Sequence, residues 1–151
     1  SPISEKEYQV GGSTALLDAI GRTIHKIGNA QKHTADDYRA EKVMFVIITD
    51  GEENSSREYS AEKIKAQIER QKEKYGWEFV FLGANIDAIE TAGRFGISAD
   101  RAQNYHSDSE GVELNFRIIS EAVAKYRECS EIPKGWNNDI QKDYKKRGRR
   151  K

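Results

Sequence analysis

Six consecutive apolar residues, from Val43 to Ile48, constrain the fold of this chain more than any other feature. A strand with one face in water alternates apolar and polar side chains, and this segment does not alternate. A strand that is apolar on both faces is buried on both faces, as in a parallel sheet covered by helices. The segment from Trp77 to Leu82 has the same character, with one interruption at Glu78. These two runs therefore predict the strands of an α/β domain.

Segments with helical spacing precede and follow the two runs. Apolar residues recur three or four positions apart between residues 13 and 29, which predicts an amphipathic helix. Ser60 is a suitable N-cap for a second helix, which we expect to end at Gly76. The residues of this second helix that we expect to face the core are Ile64, Ile68 and Tyr75. A short third helix is predicted at residues 87–95.

The C-terminal part of the chain predicts one weak strand and one long helix. Residues 101–106 have the character of an edge strand, and Ser107 with Glu110 matches a capping box that opens a helix. The apolar residues of that helix, which we expect to face the core, are Val112, Phe116, Ile119, Val123 and Tyr126. Residues 1–9 are polar, and we expect them to form a lead-in rather than a strand.

The predicted order of elements is helix, strand, helix, strand, helix, strand, helix. Strands that alternate with helices are joined by right-handed crossovers, which predicts an α/β fold. We expect a three-layer sandwich around a mainly parallel, Rossmann-like sheet. Ligands bind such sheets outside the carboxyl ends of the strands. Asp50 and the turn at residues 83–85 fall at that edge.

Composition indicates one folded domain followed by a segment of different character. Of the 151 residues 33% are charged, and the mean hydropathy is −0.84. Six of the 25 basic residues lie within residues 145–151, which leaves 19 basic against 25 acidic residues elsewhere. We therefore divide the chain into an α/β domain at 1–131 and a polar, basic tail at 132–151, in which Trp136 can be exposed. We expect the tail to be solvated, with weak nucleic-acid contact as the alternative.

Other residue types exclude several classes of protein. Cys129 is the only cysteine, so an intramolecular disulfide is excluded, and its helical position predicts partial burial. The sequence shows no signal peptide and no apolar run of about 18 residues, so no membrane span or export is indicated. We expect a cytoplasmic location. The three histidines lie far apart and do not have the spacing of metal ligands.

Two short stretches carry candidate metal ligands. Gly-Gly-Ser-Thr-Ala-Leu-Leu-Asp-Ala-Ile, at residues 11–20, opens a helix with the hydroxyl of Thr14. Val-Ile-Ile-Thr-Asp-Gly-Glu, at residues 46–52, ends a buried strand with the carboxylate of Asp50. Brought together at one edge of the sheet, Thr14 and Asp50 would supply the hard oxygen ligands that Mg²⁺ prefers. The alternatives are that Thr14 is only a helix N-cap and Asp50 only a turn residue.

The combination of the two motifs resembles a von Willebrand factor type A domain, in particular the bacterial and phage branch of that family. The likeness runs from about Gly11 to Tyr126. It implies a metal-ion-dependent adhesion site in which Thr14 is the threonine ligand and Asp50 the aspartate ligand of Mg²⁺, Mn²⁺ or Ca²⁺. Asp18, one turn into the helix, is expected to complement the helix dipole.

The chain departs from the family pattern at its N-terminal end. The family carries a third ligand stretch, Asp-x-Ser-x-Ser, which this chain does not contain. The family fold would place the strand before that stretch beside residues 43–48. Without that strand, residues 43–48 would present an unpaired edge that invites pairing with another chain. The resemblance thus implies the C-terminal part of a longer domain, or a truncated one, with a partial metal site.

Three functions are compatible with these patterns. The first is a non-enzymatic, divalent-cation-dependent domain that binds a protein partner offering an acidic side chain, with residues 51–58 as the rim. The second is a metal-independent assembly module that uses an open sheet edge or the basic tail. The third is an Mg²⁺-dependent hydrolase, which is disfavoured because the chain has no Gly-x-Ser-x-Gly and no Gly-x4-Gly-Lys motif.

Overall fold

A computed structural model describes residues 5–10, 15–32, 42–51, 56 and 58–148, and for residues 5–10, 31–32 and 42 it describes the backbone alone. The strands are β1 (Glu5–Val10), β2 (Lys42–Asp50), β3 (Glu78–Ala84) and β4 (Ala102–Asn104). The helices are α1 (Leu16–Lys32), α2 (Ala61–Tyr75), α3 (Ala88–Arg94), α4 (Ser109–Cys129) and α5 (Asn138–Gly148).

The sheet is parallel throughout, and its strands lie in sequence order, β1-β2-β3-β4. In the register of β2 with β3, Phe45 lies opposite Phe79 and Asp50 lies opposite Ala84. The short strand β4 pairs with the last part of β3. The predicted α/β fold with a parallel, Rossmann-like sheet is confirmed, and the carboxyl ends of the strands meet at one edge.

Strand β1 corrects the expectation for the N-terminal residues. It pairs with β2 from Glu5 opposite Lys42 to Val10 opposite Ile47. The prediction of a lead-in without a strand is therefore wrong, and so is the prediction that β2 has a free edge. The backbone of a buried strand needs hydrogen-bond partners on both sides. A charged segment can supply them because charged side chains are well tolerated on the outermost strand of a sheet.

Side chains of β2 alternate between two cores on opposite faces of the sheet. Val43, Phe45 and Ile47 are fully buried in the core that α1, α2 and α3 cover. Met44 and Val46 are buried in the second core, under α4 and α5. The absence of polar alternation in this segment is thus explained by helices on both faces, and the three-layer arrangement is confirmed.

Helix α2 begins and ends where the sequence predicts. The Ser60 hydroxyl accepts a hydrogen bond from the Lys63 N–H at 3.2 Å, and Gly76 ends the helix with a φ of 66°. The prediction that Tyr75 faces the core is wrong, because its side chain is 43% exposed. Tyr75 is the last residue of the helix, where its phenol remains in water. The buried residues of α2 are Ile64, Ile68 and Gln71.

The start and the inward face of α4 differ from the prediction. Asp108, not Ser107, is the N-cap, and its carboxylate accepts a hydrogen bond from the Gly111 N–H at 2.8 Å. Val112 and Phe116 were expected in the core but are 39% and 56% exposed. A Cβ at position 111 would overlap the His106 carbonyl oxygen, so glycine lets the start of α4 lie close to the loop before it. The buried residues are Gly111, Asn115, Ile118, Ile119, Ala122 and Tyr126.

Residues 132–148 pack against the sheet rather than forming a solvated tail. Trp136 is 7% exposed, and its indole N–H donates a hydrogen bond to the Asp100 carbonyl at 2.8 Å. Ile132 and Ile140 lie in the core under α4. Cys129, by contrast, is exposed, so its predicted partial burial is wrong; it is the last residue of α4. In the described ranges, no helix is long and apolar enough to cross a membrane.

Candidate cation and partner site at the carboxyl edge of the sheet

The first predicted ligand that the structure describes is Asp50. It is the last residue of β2, opposite Ala84 of β3, and it is exposed. Thr49 before it is buried, and its hydroxyl donates a hydrogen bond to the Gly51 carbonyl at 3.2 Å. The alternation of the strand therefore turns Thr49 inward and leaves the Asp50 carboxylate at the surface of the carboxyl edge.

The second predicted ligand, Thr14, lies outside the described residues, as do residues 52–55 and 57 of the predicted rim. The chain is described again from Ala15, which has a φ of 55°, and α1 begins at Leu16. Thr14 as a metal ligand therefore stays a prediction. Asp18, four residues further along, holds the start of α1 against Glu58 and Tyr59.

Asn85 is the nearest described polar partner of Asp50. It follows β3 and has a φ of 60°, a left-handed conformation that asparagine adopts more readily than most residues. Its Nδ2 donates a hydrogen bond to Asp50 Oδ1 and lies 3.4 Å from Ser107 Oγ. Asp50 ends β2, Asn85 follows β3 and Ser107 follows β4, so the three residues form a row along the carboxyl edge.

Asn104 holds the turn that carries Asn85. Its Nδ2 donates to the Gly83 carbonyl at 3.1 Å and to the Ile86 carbonyl at 2.6 Å, and its Oδ1 accepts from the Ala88 N–H at 3.1 Å. One side chain thus bonds the residues before and after Asn85 as well as the start of α3. An asparagine at the end of a short strand has no special pattern, so sequence reasoning did not single out Asn104.

Tyr105 lies beneath this row of polar side chains. The residue is 5% exposed, and its hydroxyl donates a hydrogen bond to the Thr49 carbonyl at 3.4 Å. Burial raises the pKa of the Tyr105 phenol, and the negative charge of Asp50 raises it further. The phenol therefore remains a neutral donor, and it ties the end of β2 to the loop that follows β4.

A cleft opens beside Asn85. Its volume is about 530 Å³, and its lining residues are Asn85, Ile86, Tyr105, His106, Ser107, Asp108 and Tyr144. One wall is a stacked pair of rings, His106 and Tyr144, with centroids 4.7 Å apart. His106 Nε2 lies 3.0 Å from the Tyr144 carbonyl oxygen, so α5 forms that side of the cleft. The lining is mostly neutral and offers amide, hydroxyl and aromatic groups.

Arg147 fixes the end of α5 to the start of α4. It donates to both carboxylate oxygens of Asp143, at 2.9 and 2.7 Å, and to Asp108 Oδ2, while Glu110 Oε2 lies 3.3 Å away. The Arg147 guanidinium lowers the pKa of Asp108, and the Gly111 N–H lowers it further. Arg147 was expected to be part of a solvated basic tail, but its charge is paired with these carboxylates.

Asp18 makes contacts that the helix-dipole interpretation did not include. It lies in the first turn of α1, as that interpretation requires, but its side chain is buried. Asp18 Oδ1 accepts hydrogen bonds from the Glu58 N–H at 3.0 Å and from the Tyr59 N–H at 2.8 Å. The backbone N–H of Asp18 donates to Ser56 Oγ at 3.1 Å. The start of α1 is therefore bonded to the segment that follows Asp50.

A hard divalent cation takes oxygen ligands. Asp50 supplies a carboxylate and Ser107 a hydroxyl, and a rotated Asn85 amide would present a carbonyl oxygen. Within the described part of the chain, no group of three or more His, Cys, Asp or Glu side chains is placed to hold a metal ion. A cation at this edge therefore stays a prediction.

Comparison of the chain with protein-family models, curated proteins and solved structures finds no match. The resemblance to a von Willebrand factor type A domain therefore rests on the residues of the two motifs and stays a prediction. What the structure adds is the position of one predicted ligand, Asp50, and of the polar groups around it.

Proposed function

We propose that this chain is a non-enzymatic protein-binding domain whose binding depends on a divalent cation, most simply Mg²⁺. Asp50 and Thr14 would hold the cation, which supplies open coordination positions for an acidic side chain of the partner. The observation that carries this proposal is the exposed Asp50 carboxylate at the carboxyl edge, in line with Asn85 and Ser107. Ligands of parallel α/β sheets bind at that edge.

The position of α1 supports the pairing of Thr14 with Asp50. Thr14 precedes Asp18, which lies in the first turn of α1, by four residues. Asp18 is hydrogen-bonded to Ser56, Glu58 and Tyr59, which follow Asp50 by six to nine residues. The first turn of α1 is therefore hydrogen-bonded to residues that follow Asp50 closely in sequence, which favours a site built from both stretches.

The cleft beside Asn85 gives the partner a surface next to the cation. Its hydroxyl and amide groups can pair with a peptide backbone, and Tyr144, which is 37% exposed, offers an aromatic face. The partner in this proposal is a protein segment that places a carboxylate on the cation and its neighbouring residues in the cleft. We place this activity in the cytoplasm as part of the same proposal.

Titration with Mn²⁺, followed by NMR line broadening or by electron paramagnetic resonance, tests the cation site. We expect the paramagnetic ion to broaden amide signals around Asp50 and Asn85 first. Asp50→Asn should weaken Mn²⁺ binding by about tenfold or more, because a weak oxygen site depends on its carboxylate charge. Asp100→Asn is the matched control, since Asp100 is also exposed but precedes β4 at the opposite edge.

Two results would contradict the cation proposal. One is a spectrum that Mn²⁺ and Mg²⁺ leave unchanged at about 5 mM, the concentration range of weak oxygen-ligated sites. The other is equal binding by wild type and Asp50→Asn. Thr14→Val tests the second ligand, and we expect it to weaken Mn²⁺ binding as Asp50→Asn does.

A second candidate, a metal-independent assembly module, is favoured by one observation. Phe116 and Val112 lie one turn apart on α4 and are 56% and 39% exposed, which is unusual for large apolar side chains at adjacent positions. Sedimentation equilibrium in Mg²⁺ and in EDTA tests this candidate. It predicts self-association that EDTA does not alter and that Phe116→Glu abolishes, while Ala124→Glu, at an exposed position two turns along the same helix, leaves it intact.

The covered edge of β2 removes one route to such assembly, but the basic C-terminal residues remain another. Lys145 and Lys146 at the end of α5 are exposed. Weak contact of these residues with nucleic acid stays a prediction, and it would show as a strongly salt-dependent affinity for a duplex of random sequence.

A further inference from the structure

The segment that follows Asp50 returns to α1 at Asp18. A single oxygen, Asp18 Oδ1, accepts hydrogen bonds from two successive backbone N–H groups, those of Glu58 and Tyr59. The residue is 5% exposed, so water does not readily replace it as the acceptor. Without the carboxylate, the N–H groups of Glu58 and Tyr59 would lose their shared acceptor, and unpaired buried donors lower the stability of the fold.

Two further contacts hold the same segment on the same helix. The Tyr59 ring packs so closely on Gly21 that a Cβ at position 21 would overlap it. The Arg22 guanidinium lies 2.6 Å from the Glu58 carboxylate. These contacts are on successive turns of α1, so Asp18 is the N-terminal member of a series that aligns the segment along the helix.

We propose that Asp18 is a positioning residue that fixes the segment after Asp50 on the first turn of α1. Asp50 lies only eight residues before Glu58, so an anchor at Glu58 keeps the end of β2 within a short stretch of chain of α1. In the proposed cation site, this anchor sets the distance between Thr14 and Asp50. That last step rests on the proposed function, whereas the anchoring itself does not.

Trypsin provides a direct probe of the anchor. The peptide bond between Arg57 and Glu58 is a tryptic site by sequence. The nitrogen of that bond belongs to Glu58, and its N–H donates the hydrogen bond that Asp18 Oδ1 accepts. Cleavage requires an extended, accessible backbone, so release of this hydrogen bond should precede it. The rate of cleavage at this one bond, followed by mass spectrometry, reports the anchor without reference to any ligand.

Asp18→Ala should raise the cleavage rate at Arg57–Glu58 by about tenfold or more, because both N–H groups lose their acceptor. Asp18→Asn retains an acceptor oxygen of the same geometry, and its rate should stay within about threefold of wild type. Asp87→Ala is the matched control, since Asp87 is a carboxylate that accepts one backbone N–H at the start of α3. Urea unfolding of each variant separates local opening from global destabilisation.

Mn²⁺ affinity is the second readout, and it separates the two proposals. If the anchor sets the site, Asp18→Ala should weaken Mn²⁺ binding by about tenfold, and Mg²⁺ should slow wild-type cleavage at Arg57–Glu58 by reciprocity. An Asp18→Ala rate no higher than that of Asp87→Ala would overturn the anchor. Faster cleavage with unchanged Mn²⁺ affinity would overturn the positioning role and leave the cation site standing. No Mn²⁺ binding by wild type would refute the proposed function and the positioning role, while the cleavage rates still decide the anchor.

Discussion

The Asn85 amide donates a hydrogen bond to the Asp50 carboxylate across the carboxyl ends of β3 and β2. Asp50 lies opposite Ala84 in the sheet register, so Asn85, one residue further, would extend past it in a regular strand. The left-handed conformation of Asn85, with a φ of 60°, instead turns the chain at this point. The bond to the exposed carboxylate depends on that turn, and therefore on a residue that tolerates it.

Substitution of Asn85 should separate the backbone effect from the effect of the amide. Asn85→Gly and Asn85→Ala both remove the amide, but alanine in a left-handed conformation costs about 1 kcal/mol more than glycine. We therefore expect Asn85→Ala to have a free energy of unfolding about 1 kcal/mol lower than that of Asn85→Gly. Urea unfolding followed by circular dichroism measures this difference. Equal stabilities would show that the turn does not require the left-handed conformation.

The ion pair of Asp108 with Arg147 should make stability depend on pH. Arg147 and then the Gly111 N–H lower the pKa of Asp108 in the folded protein below its usual value of 3.8. A carboxyl group with a lowered folded-state pKa stabilises the fold above its unfolded-state pKa, and this contribution is lost as the pH falls through the folded-state value. Asp108→Asn should therefore be less stable than wild type near neutral pH, and the gap should close as the pH falls through the lowered folded-state pKa of Asp108.

Asp87→Asn is the matched control for this titration. Asp87 caps α3 by accepting the Glu90 N–H at 3.1 Å, as Asp108 caps α4, but the described residues give it no ion pair. Urea midpoints of the three proteins between pH 7 and pH 2 make the comparison. A gap between wild type and Asp108→Asn that is unchanged at pH 2 would contradict an electrostatic origin.

Much of the fold could be predicted because its signals are local. The apolar run of β2 indicates burial on both faces, and Ser60 and Gly76 each lie directly beside the end of α2 that they mark. The misplaced parts depend on contacts between distant residues. β1 is polar and takes its strand conformation from pairing with β2, and Trp136 is buried because its indole reaches Asp100.

In the candidate site, too, the residue marked by a local pattern was predicted and the residues that depend on distant contacts were not. Asp50 could be predicted because it directly follows a recognisable strand. The residues around it are connected by bonds over long stretches of sequence, such as Asp108 with Arg147 and Asp18 with Tyr59. No short motif encodes such pairs, since neither residue type is unusual in its own segment. The inward face of α4 was also misjudged in part, because Val112 and Phe116 are exposed while Gly111 and Asn115, which the apolar pattern does not mark, are buried.

Gly111 should be intolerant of any side chain. A Cβ at this position would overlap the carbonyl oxygen of His106, a backbone atom that cannot move without shifting the loop after β4. Gly111→Ala should therefore destabilise the protein by about 1–3 kcal/mol, the usual cost of overpacking. Gly93→Ala is the matched control, since Gly93 also lies in a helix but has open space at the Cβ position. There we expect a gain of about 0.5–1 kcal/mol from helix propensity.

Thermal unfolding of the two glycine variants tests this contrast. Because the loop after β4 carries His106 and Ser107, the Gly111→Ala substitution should also shift the NMR signals of the cleft, whereas Gly93→Ala should not. Equal effects of the two substitutions on stability would mean that the start of α4 does not lie as close to the His106 carbonyl as the structure has it.

Ile140 should contribute to the core as strongly as residues of the central strands. It lies in α5 within the segment expected from sequence to be a solvated tail, yet it is 1% exposed and packs in the core under α4. Truncation of a buried isoleucine to alanine removes apolar contacts and leaves a cavity, so Ile140→Ala should cost about 2–5 kcal/mol. Ile89→Ala, at a helical position that is 53% exposed, should stay within about 0.5 kcal/mol of wild type. Urea unfolding of both variants measures whether α5 is part of the folded domain. A loss below 1 kcal/mol for Ile140→Ala would mean that residues 132–148 do not pack in the core, and Tyr144 would then not form a wall of the cleft.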